Sequence, residues 1–224
     1  PSGQLLHKAD GLTHSRMRAH ISLKCDALGL GQLPGAQGAD CGNKVVWKAR
    51  ADESVGVVAK RDGKSCVIEY SEMPVATTEE KDANGKLKYG AANICNHFFS
   101  TEYLESITDD ALTFHVAKKA IPYAGADGKT IKPEKKDKNG IKLECFIFDP
   151  FYLSTKMAVL EGERPEEFTP VKNAPGNPVD SPDSARAMIS ALHTKWIATA
   201  GAKVVEGGKL FEISPLVSYG GEGH

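Results

Sequence analysis

The chain of 224 residues carries 28 basic and 29 acidic side chains, a net charge of −1, and 41% hydrophobic residues. That balance removes any whole-chain electrostatic case for nucleic acid, and the composition fits neither disorder nor a fibrous repeat. The longest uncharged runs, such as residues 28–39, are Gly-rich and shorter than the 18 or so consecutive apolar residues that cross a bilayer, so no membrane span is expected.

Residues 1–43 contain no Val, Phe, Tyr or Trp, and Ile21 is their only β-branched aliphatic residue. Strands draw on β-branched and aromatic side chains, so this leader supplies no core strand and, over residues 16–28, one short helix at most. Leu28-Gly29-Leu30-Gly31-Gln32 invites comparison with a phosphate loop. No strand precedes it, however, and Pro34 stands where the third Gly of the motif belongs, so it reads as a glycine linker.

From Lys44 the composition changes. Residues 45–47, 55–59 and 66–70 predict strands, and Arg61-Asp62-Gly63-Lys64 predicts a hairpin turn centred on Asp-Gly. Asp82-Ala83-Asn84-Gly85 predicts a second turn before a strand over residues 91–100. Ser100 or Thr101 caps a short helix to residue 107. His115 is expected in a helix at the surface. Residues 129–140 form a Lys-rich, solvated loop, and residues 143–148 a strand with Phe146 and Phe148 on one face. Ser181, Pro182 and Asp183 are start signals for a helix ending at Gly201, with Ala185, Met188, Ile189, Leu192 and Trp196 as its core stripe. Strands alternating with helices predict an α/β fold.

Cysteines at 25, 41, 66, 95 and 145 are odd in number and include no Cys-x-x-Cys. This speaks against a disulfide framework or a zinc site and for a reducing compartment. With no signal-peptide pattern at the start, a cytoplasmic location is expected. Cys95-Asn96-His97 has no further metal ligand at suitable spacing, and its alternation reads as strand packing. Glu69 and Glu72 sit at the end of an apolar strand, where α/β sheets bind ligands; a plain edge carboxylate explains them equally well. Lys172, in Pro170-Val171-Lys172-Asn173, carries a compact charge suited to a phosphate oxygen, although an exposed lysine is ordinarily nothing more.

A longer series of motifs runs in order through the chain. It begins with Gly38-Ala39-Asp40-Cys41-Gly42, Lys44-Val45-Val46, Val55-Gly56-Val57-Val58 and Glu69-Tyr70-Ser71-Glu72. It continues through Asn93-Ile94-Cys95-Asn96-His97-Phe98-Phe99, Ile121-Pro122-Tyr123 and Phe146-Ile147-Phe148-Asp149. It closes on Pro170-Val171-Lys172-Asn173 and Glu212-Ile213-Ser214-Pro215-Leu216-Val217-Ser218-Tyr219. Residues 38–224 in this way closely resemble the eukaryotic UDP-N-acetylglucosamine pyrophosphorylase family.

The resemblance implies a Rossmann-like, GT-A-like nucleotidyltransferase fold, a mixed sheet with flanking helices. It implies that UTP and N-acetylglucosamine 1-phosphate are converted to UDP-N-acetylglucosamine and pyrophosphate with Mg²⁺. At matching positions, Glu69 would accept hydrogen bonds from sugar hydroxyls with Tyr70 beside it. Asn93 would fix the sugar through its amide, and Phe146 and Phe148 would wall the acetamido group. Lys172 would neutralise a phosphate in catalysis. Ala92 stands where the family has Gly, Cys95 where it has Ala, and Trp47 where a Glu-like residue is usual.

The family's Gly-rich UTP loop, its uridine segment and the Asp that helps hold the metal have no counterpart in the chain, so no residue is assigned to Mg²⁺. The expected organisation is therefore a non-matching leader, 1–37, followed by a partial catalytic domain, 38–224, with the sugar half of the site and a fold incomplete at both ends. On that expectation the 224 residues alone transfer no uridylyl group, and an uncovered sheet edge favours self-association. The alternatives are a pyrophosphorylase for another sugar, and an inactive fragment or interaction module.

Overall fold

The structure, a computed structural model, describes residues 38–134, 136–203, 205 and 210–222. The short helix and glycine linker expected in the leader lie outside the described residues. Contacts divide the chain into two units, one ending at Leu160 and the other beginning at Glu161.

In the first unit, β1 (Cys41–Trp47), β2 (Val57–Arg61), β3 (Lys64–Ile68) and β4 (Ala91–Phe99) are followed by β5 (His115–Lys119), β6 (Tyr123–Ala124), β7 (Thr130–Ile131), β8 (Gly140–Glu144) and β9 (Met157–Glu161). Five of them form one sheet in the order β3-β2-β4-β1-β9, while β5 pairs with β8 and β6 with β7. The pairs β1–β4, β2–β3 and β2–β4 are antiparallel. The Asp-Gly hairpin forms as expected: Arg61 pairs with Lys64, and Asp62 and Gly63 take φ of 53° and 79°. Positive φ at both central residues matches the right-handed twist of the flanking strands.

Strand β4 is not regular. Lys44 pairs with Asn96 but the next residue, Val45, pairs with Asn93, so Ile94 and Cys95 are looped out as a bulge. Cys95 takes the left-handed region at φ 58°, and its backbone N–H donates to Asn93 Oδ1 at 3.0 Å. The simple alternation expected through Cys95-Asn96-His97 is therefore broken. A side-chain amide has captured a backbone donor that the ladder would otherwise use.

The described helices are α1 (Val75–Thr78), α2 (Thr101–Ser106), α3 (Arg164–Glu167) and α4 (Pro182–Thr199). Ser100 caps α2 by accepting from the Tyr103 N–H at 3.1 Å. This fixes Tyr103 in the core, where its ring stacks on Phe99 and its hydroxyl donates to the Pro150 carbonyl at 2.6 Å. Cys41, Phe99, Tyr103, Phe148 and Phe151 are the buried centre, with Val67, Phe146 and Met157 packed around them. Burial pushes the Cys41 thiol up to about 12, so it acts as a packing group. At the front of β1, the Asp40 carboxylate accepts from the Ser154 hydroxyl, from the Thr155 N–H and hydroxyl at 2.7 and 2.9 Å, and from the Lys156 N–H at 3.3 Å.

Two expectations about this unit need correction. Residues 143–148 are not one strand: β8 stops at Glu144, and the chain turns, with the Phe146 N–H donating to Asp149 Oδ2 at 2.8 Å before a 3₁₀ segment, Asp149–Leu153. The Asp149 side chain outbids the ladder for that donor. His115 lies in a strand rather than a helix, because Phe114, His115 and Val116 favour an extended backbone that β8 can pair.

In the second unit, α4 begins at Ser181 with a reciprocal hydrogen-bonded cap to Ser184 and is followed by Gly201 at φ 90°. Its expected core stripe is only partly buried. Ala185 is inside, whereas Met188 and Ile189 are exposed; the side chain that joins Ala185 inside is Ser190, whose hydroxyl accepts from the Phe211 N–H at 2.7 Å.

Candidate functional site

Glu69 is the first residue beyond β3, and its carbonyl accepts from the Glu72 N–H at 2.9 Å. This turn directs the Glu69 carboxyl over Gly56, where an added Cβ would lie 2.7 Å from Oε1 and 2.8 Å from Val67 Cγ1, so a larger residue at 56 would displace the carboxyl from this position. Gly56 in turn accepts from the Asn93 N–H at 2.8 Å. Glu69, Gly56 and Asn93 are thus neighbours through backbone packing that residue spacing alone could not show. Burial and then the Glu72 charge raise the Glu69 carboxyl above the ordinary glutamate range.

His115 connects the surroundings of Glu69 to those of Phe146. Its Nδ1 lies 2.9 Å from Glu72 Oε1 and its Nε2 lies 2.9 Å from Asp149 Oδ1. Its ring meets the Phe146 ring at a centroid distance of 5.0 Å, and Phe146 stacks on Phe148 at 4.9 Å and 12°. Burial opposes the charged imidazole, but the hydrogen bonds to Glu72 and Asp149 outweigh it and raise the ring's pKa. A groove of about 450 Å³ opens here, lined by Glu72, His115, Phe148, Asp149, Tyr152 and the β2–β3 hairpin.

The Glu69 turn, through Glu72, and the Phe146–Phe148 pair, through Phe146, therefore meet at one imidazole. The two rings stack even though they share no strand face: the turn at 146–149 brings them together. Phe148 is only 4% exposed and belongs chiefly to the core, leaving Phe146 as the more accessible ring. Asn93 is buried, and its carbonyl oxygen already accepts from Cys95 N–H and from Asn43 Nδ2 at 3.3 Å; its own Nδ2 has a weaker contact, 3.8 Å to Cys95 Sγ. Tyr70 lines a different groove, with Lys48, Met73 and Glu79. Lys172 belongs to the second unit, is exposed, and donates its backbone N–H to the Asp180 carbonyl at 2.7 Å.

The roles of His115 and Asp149 were missed in the sequence. The aromatic and β-branched run Thr113-Phe114-His115-Val116 was the available signal, since in a strand it directs His115 and Val116 to opposite sides.

Among the described residues no three or more His, Cys, Asp and Glu side chains are grouped to hold a metal ion. The carboxylates nearest His115 do not fit Mg²⁺ either, because that ion requires several oxygens in octahedral array and these are engaged by the imidazole. No described helix is long and apolar enough to cross a membrane.

The sequence profile of the UTP–glucose-1-phosphate uridylyltransferase family matches residues 28–223, beginning ahead of the point where the motif series becomes legible. The human UDP-N-acetylhexosamine pyrophosphorylase-like protein 1 is 43% identical over 207 residues, covering 84% of this chain and 40% of its own. The UDP-N-acetylglucosamine pyrophosphorylase of Saccharomyces cerevisiae is 43% identical over 191 residues, covering 83% of this chain and 39% of its own. The crystal structure of the Trypanosoma brucei uridine diphosphate N-acetylglucosamine pyrophosphorylase superposes with a TM-score of 0.62 at 32% identity, over 83% of this chain and 39% of that one. The chain thus spans about two fifths of the length of these relatives.

Proposed function

The chain belongs to the UTP–glucose-1-phosphate uridylyltransferase family, among the UDP-N-acetylhexosamine and UDP-N-acetylglucosamine pyrophosphorylases, and on that premise we propose that it supplies sugar-recognition residues to a uridylyltransferase that makes UDP-N-acetylglucosamine. The observation that carries this reading is that the Glu69 turn, through Glu72, and the stacked Phe146–Phe148 pair, through the Phe146 ring, meet at His115, beside a groove that Glu72, His115 and Phe148 line.

In the proposed reaction an oxygen of the sugar 1-phosphate attacks the α-phosphorus of UTP in line, and pyrophosphate leaves. No enzyme nucleophile is required, so catalysis amounts to positioning and charge neutralisation. Glu69 accepts from sugar hydroxyls, which offsets the penalty of its burial, and the accessible face of Phe146 packs on the acetamido methyl. Asn93 holds the bulge beneath Glu69 in place, with Nδ2 as the amide donor toward the sugar. Tyr70 keeps its assignment beside the sugar as a proposal from the family resemblance, as does Lys172 at the phosphate. Mg²⁺, a cytoplasmic location and the Rossmann-like topology belong to the same reading; no step of it is derived through the ion.

Titration of the chain with N-acetylglucosamine 1-phosphate and with glucose 1-phosphate tests this directly. The acetylated sugar should bind roughly tenfold tighter or better, the discrimination expected of one apolar group in a pocket. Equal or reversed affinities would reject the sugar assignment and favour a pyrophosphorylase for another sugar. Absence of binding to both would favour an interaction module. Lys172→Ala should weaken binding of the sugar phosphate by roughly tenfold to a hundredfold, the value of a charge-assisted hydrogen bond, and leave that of free N-acetylglucosamine unchanged. An equal loss for both ligands would show that Lys172 does not act on the phosphate.

A further inference from the structure

Both ring nitrogens of His115 lie 2.9 Å from a carboxylate oxygen. Ionised carboxylates only accept, so both nitrogens must donate, and an imidazole does this only as the cation. The two partners come from segments far apart in the chain. Glu72 closes the turn that holds Glu69, and Asp149, which also accepts from the Phe146 N–H, closes the turn that holds the aromatic pair. We propose that His115 is a positioning residue whose cation locks the Glu69 turn and the Phe146–Phe148 turn to each other and so shapes the receptor for the acetylated sugar phosphate.

The surroundings support a cation at this place. From β8, Glu144 faces His115 across the ladder and is itself paired with Lys142 at 3.0 Å. From the β3 side come Glu69 and Glu72, and from the turn Asp149. The hairpin residues Arg61, Asp62 and Lys64 line the groove at a greater remove, and Lys119 acts on Glu144 from the end of β5. Loss of the ring proton leaves one carboxylate without its donor and sets the two turns free of each other. The ring's pKa is raised, so the lock is fully present below the ordinary histidine range and is lost as pH rises through the raised value. The proposal rests on the sugar-site reading for its ligand but not for its mechanical content, and the two are tested separately.

The ligand-free readout is hydrogen exchange of the Phe146 amide, whose acceptor is Asp149. At a common pH of about 7, His115→Gln should lower its protection roughly tenfold, since both N–H groups of the amide sit on one nitrogen and its oxygen only accepts, so it cannot span the two carboxylates as the two ring nitrogens do. Adding Asp149→Asn should recover most of the protection, because the new amide can accept from Phe146 while donating to the glutamine. The ligand readout is affinity for N-acetylglucosamine 1-phosphate. It should fall roughly tenfold in His115→Gln with little change in melting temperature, recover in the double variant, and in the unmodified chain decline as pH rises beyond the ordinary histidine range. Unchanged Phe146 protection in His115→Gln overturns the proposal, whatever the sugar does. Lost protection that the double variant does not recover also overturns it. Lost and recovered protection, in a chain that binds no sugar phosphate, upholds the lock and rejects the sugar reading alone.

Discussion

Phe151→Ala is expected to destabilise the first unit by about 3–5 kcal/mol, the range for deleting a buried phenyl ring. Phe151 is fully buried, and its ring has three aromatic neighbours: His97 at 5.3 Å, Phe99 at 5.8 Å and Phe148 at 6.4 Å between centroids. These come from β4 and from the turn after β8, so no single local movement closes the void left by truncation. The hydrogen bond that the Tyr103 hydroxyl donates to the neighbouring Pro150 carbonyl further limits collapse. Denaturant midpoints for the two proteins measure the effect. Phe114→Ala is the control, since that ring is 59% exposed and its loss should cost no more than about 0.5 kcal/mol. A Phe151→Ala midpoint as close to wild type as the control would refute this account of the core.

The second large effect is a dependence of stability on pH through His97. Its ring is buried among Phe99, Phe148 and Phe151, and burial pushes its pKa down to about 4 from an ordinary 6.5. Between those values the unfolded chain binds the proton and the folded one refuses it. Stability attributable to His97 is therefore present above pH 6.5 and is lost as pH falls toward 4. The full loss is about 3 kcal/mol, from the pKa difference and 1.36 kcal/mol per unit. Glu69 works in the opposite sense, because burial raises its pKa and favours the protonated carboxyl in the fold. The difference between wild type and His97→Leu isolates the histidine: it should move in favour of the leucine variant by about 3 kcal/mol as pH drops from about 7 to 4. A pH-independent difference would mean that the folded protein gives the ring a route to solvent or a partner when it is charged.

Much of the architecture was legible because local chemistry and global fold agree. The Asp62-Gly63 hairpin, the Ser100 and Ser181 caps and the apolar runs through Val45 and Ala92 are signals written within a few residues of where they act. The bulge at Cys95 was not legible, because a strand pattern does not reveal that Asn93 will bind the backbone two residues on. The turn at Phe146 was missed for the same reason, Asp149 being the competitor. His115 was misassigned because both of its carboxylate partners are remote, one 43 residues before it and one 34 residues after. Exposure of Met188 and Ile189 on α4 shows the converse limit: helical spacing establishes a face, whereas its covering depends on tertiary neighbours.

The carboxylate of Asp40 also constrains when the first unit can be completed. Its partners at Ser154, Thr155 and Lys156 are 114 to 116 residues further along the chain, and β9, the neighbour of β1 in the sheet, follows directly after them. Contacts of such separation require a large loop to close before they return any free energy, and proteins dominated by them fold slowly. On a ribosome, the early hairpin and the β1–β4 pair can form while the rest is being made. One side of β1 must nevertheless wait for residues 154–161 to emerge, and during that interval its unpaired backbone is a surface for chaperones to guard.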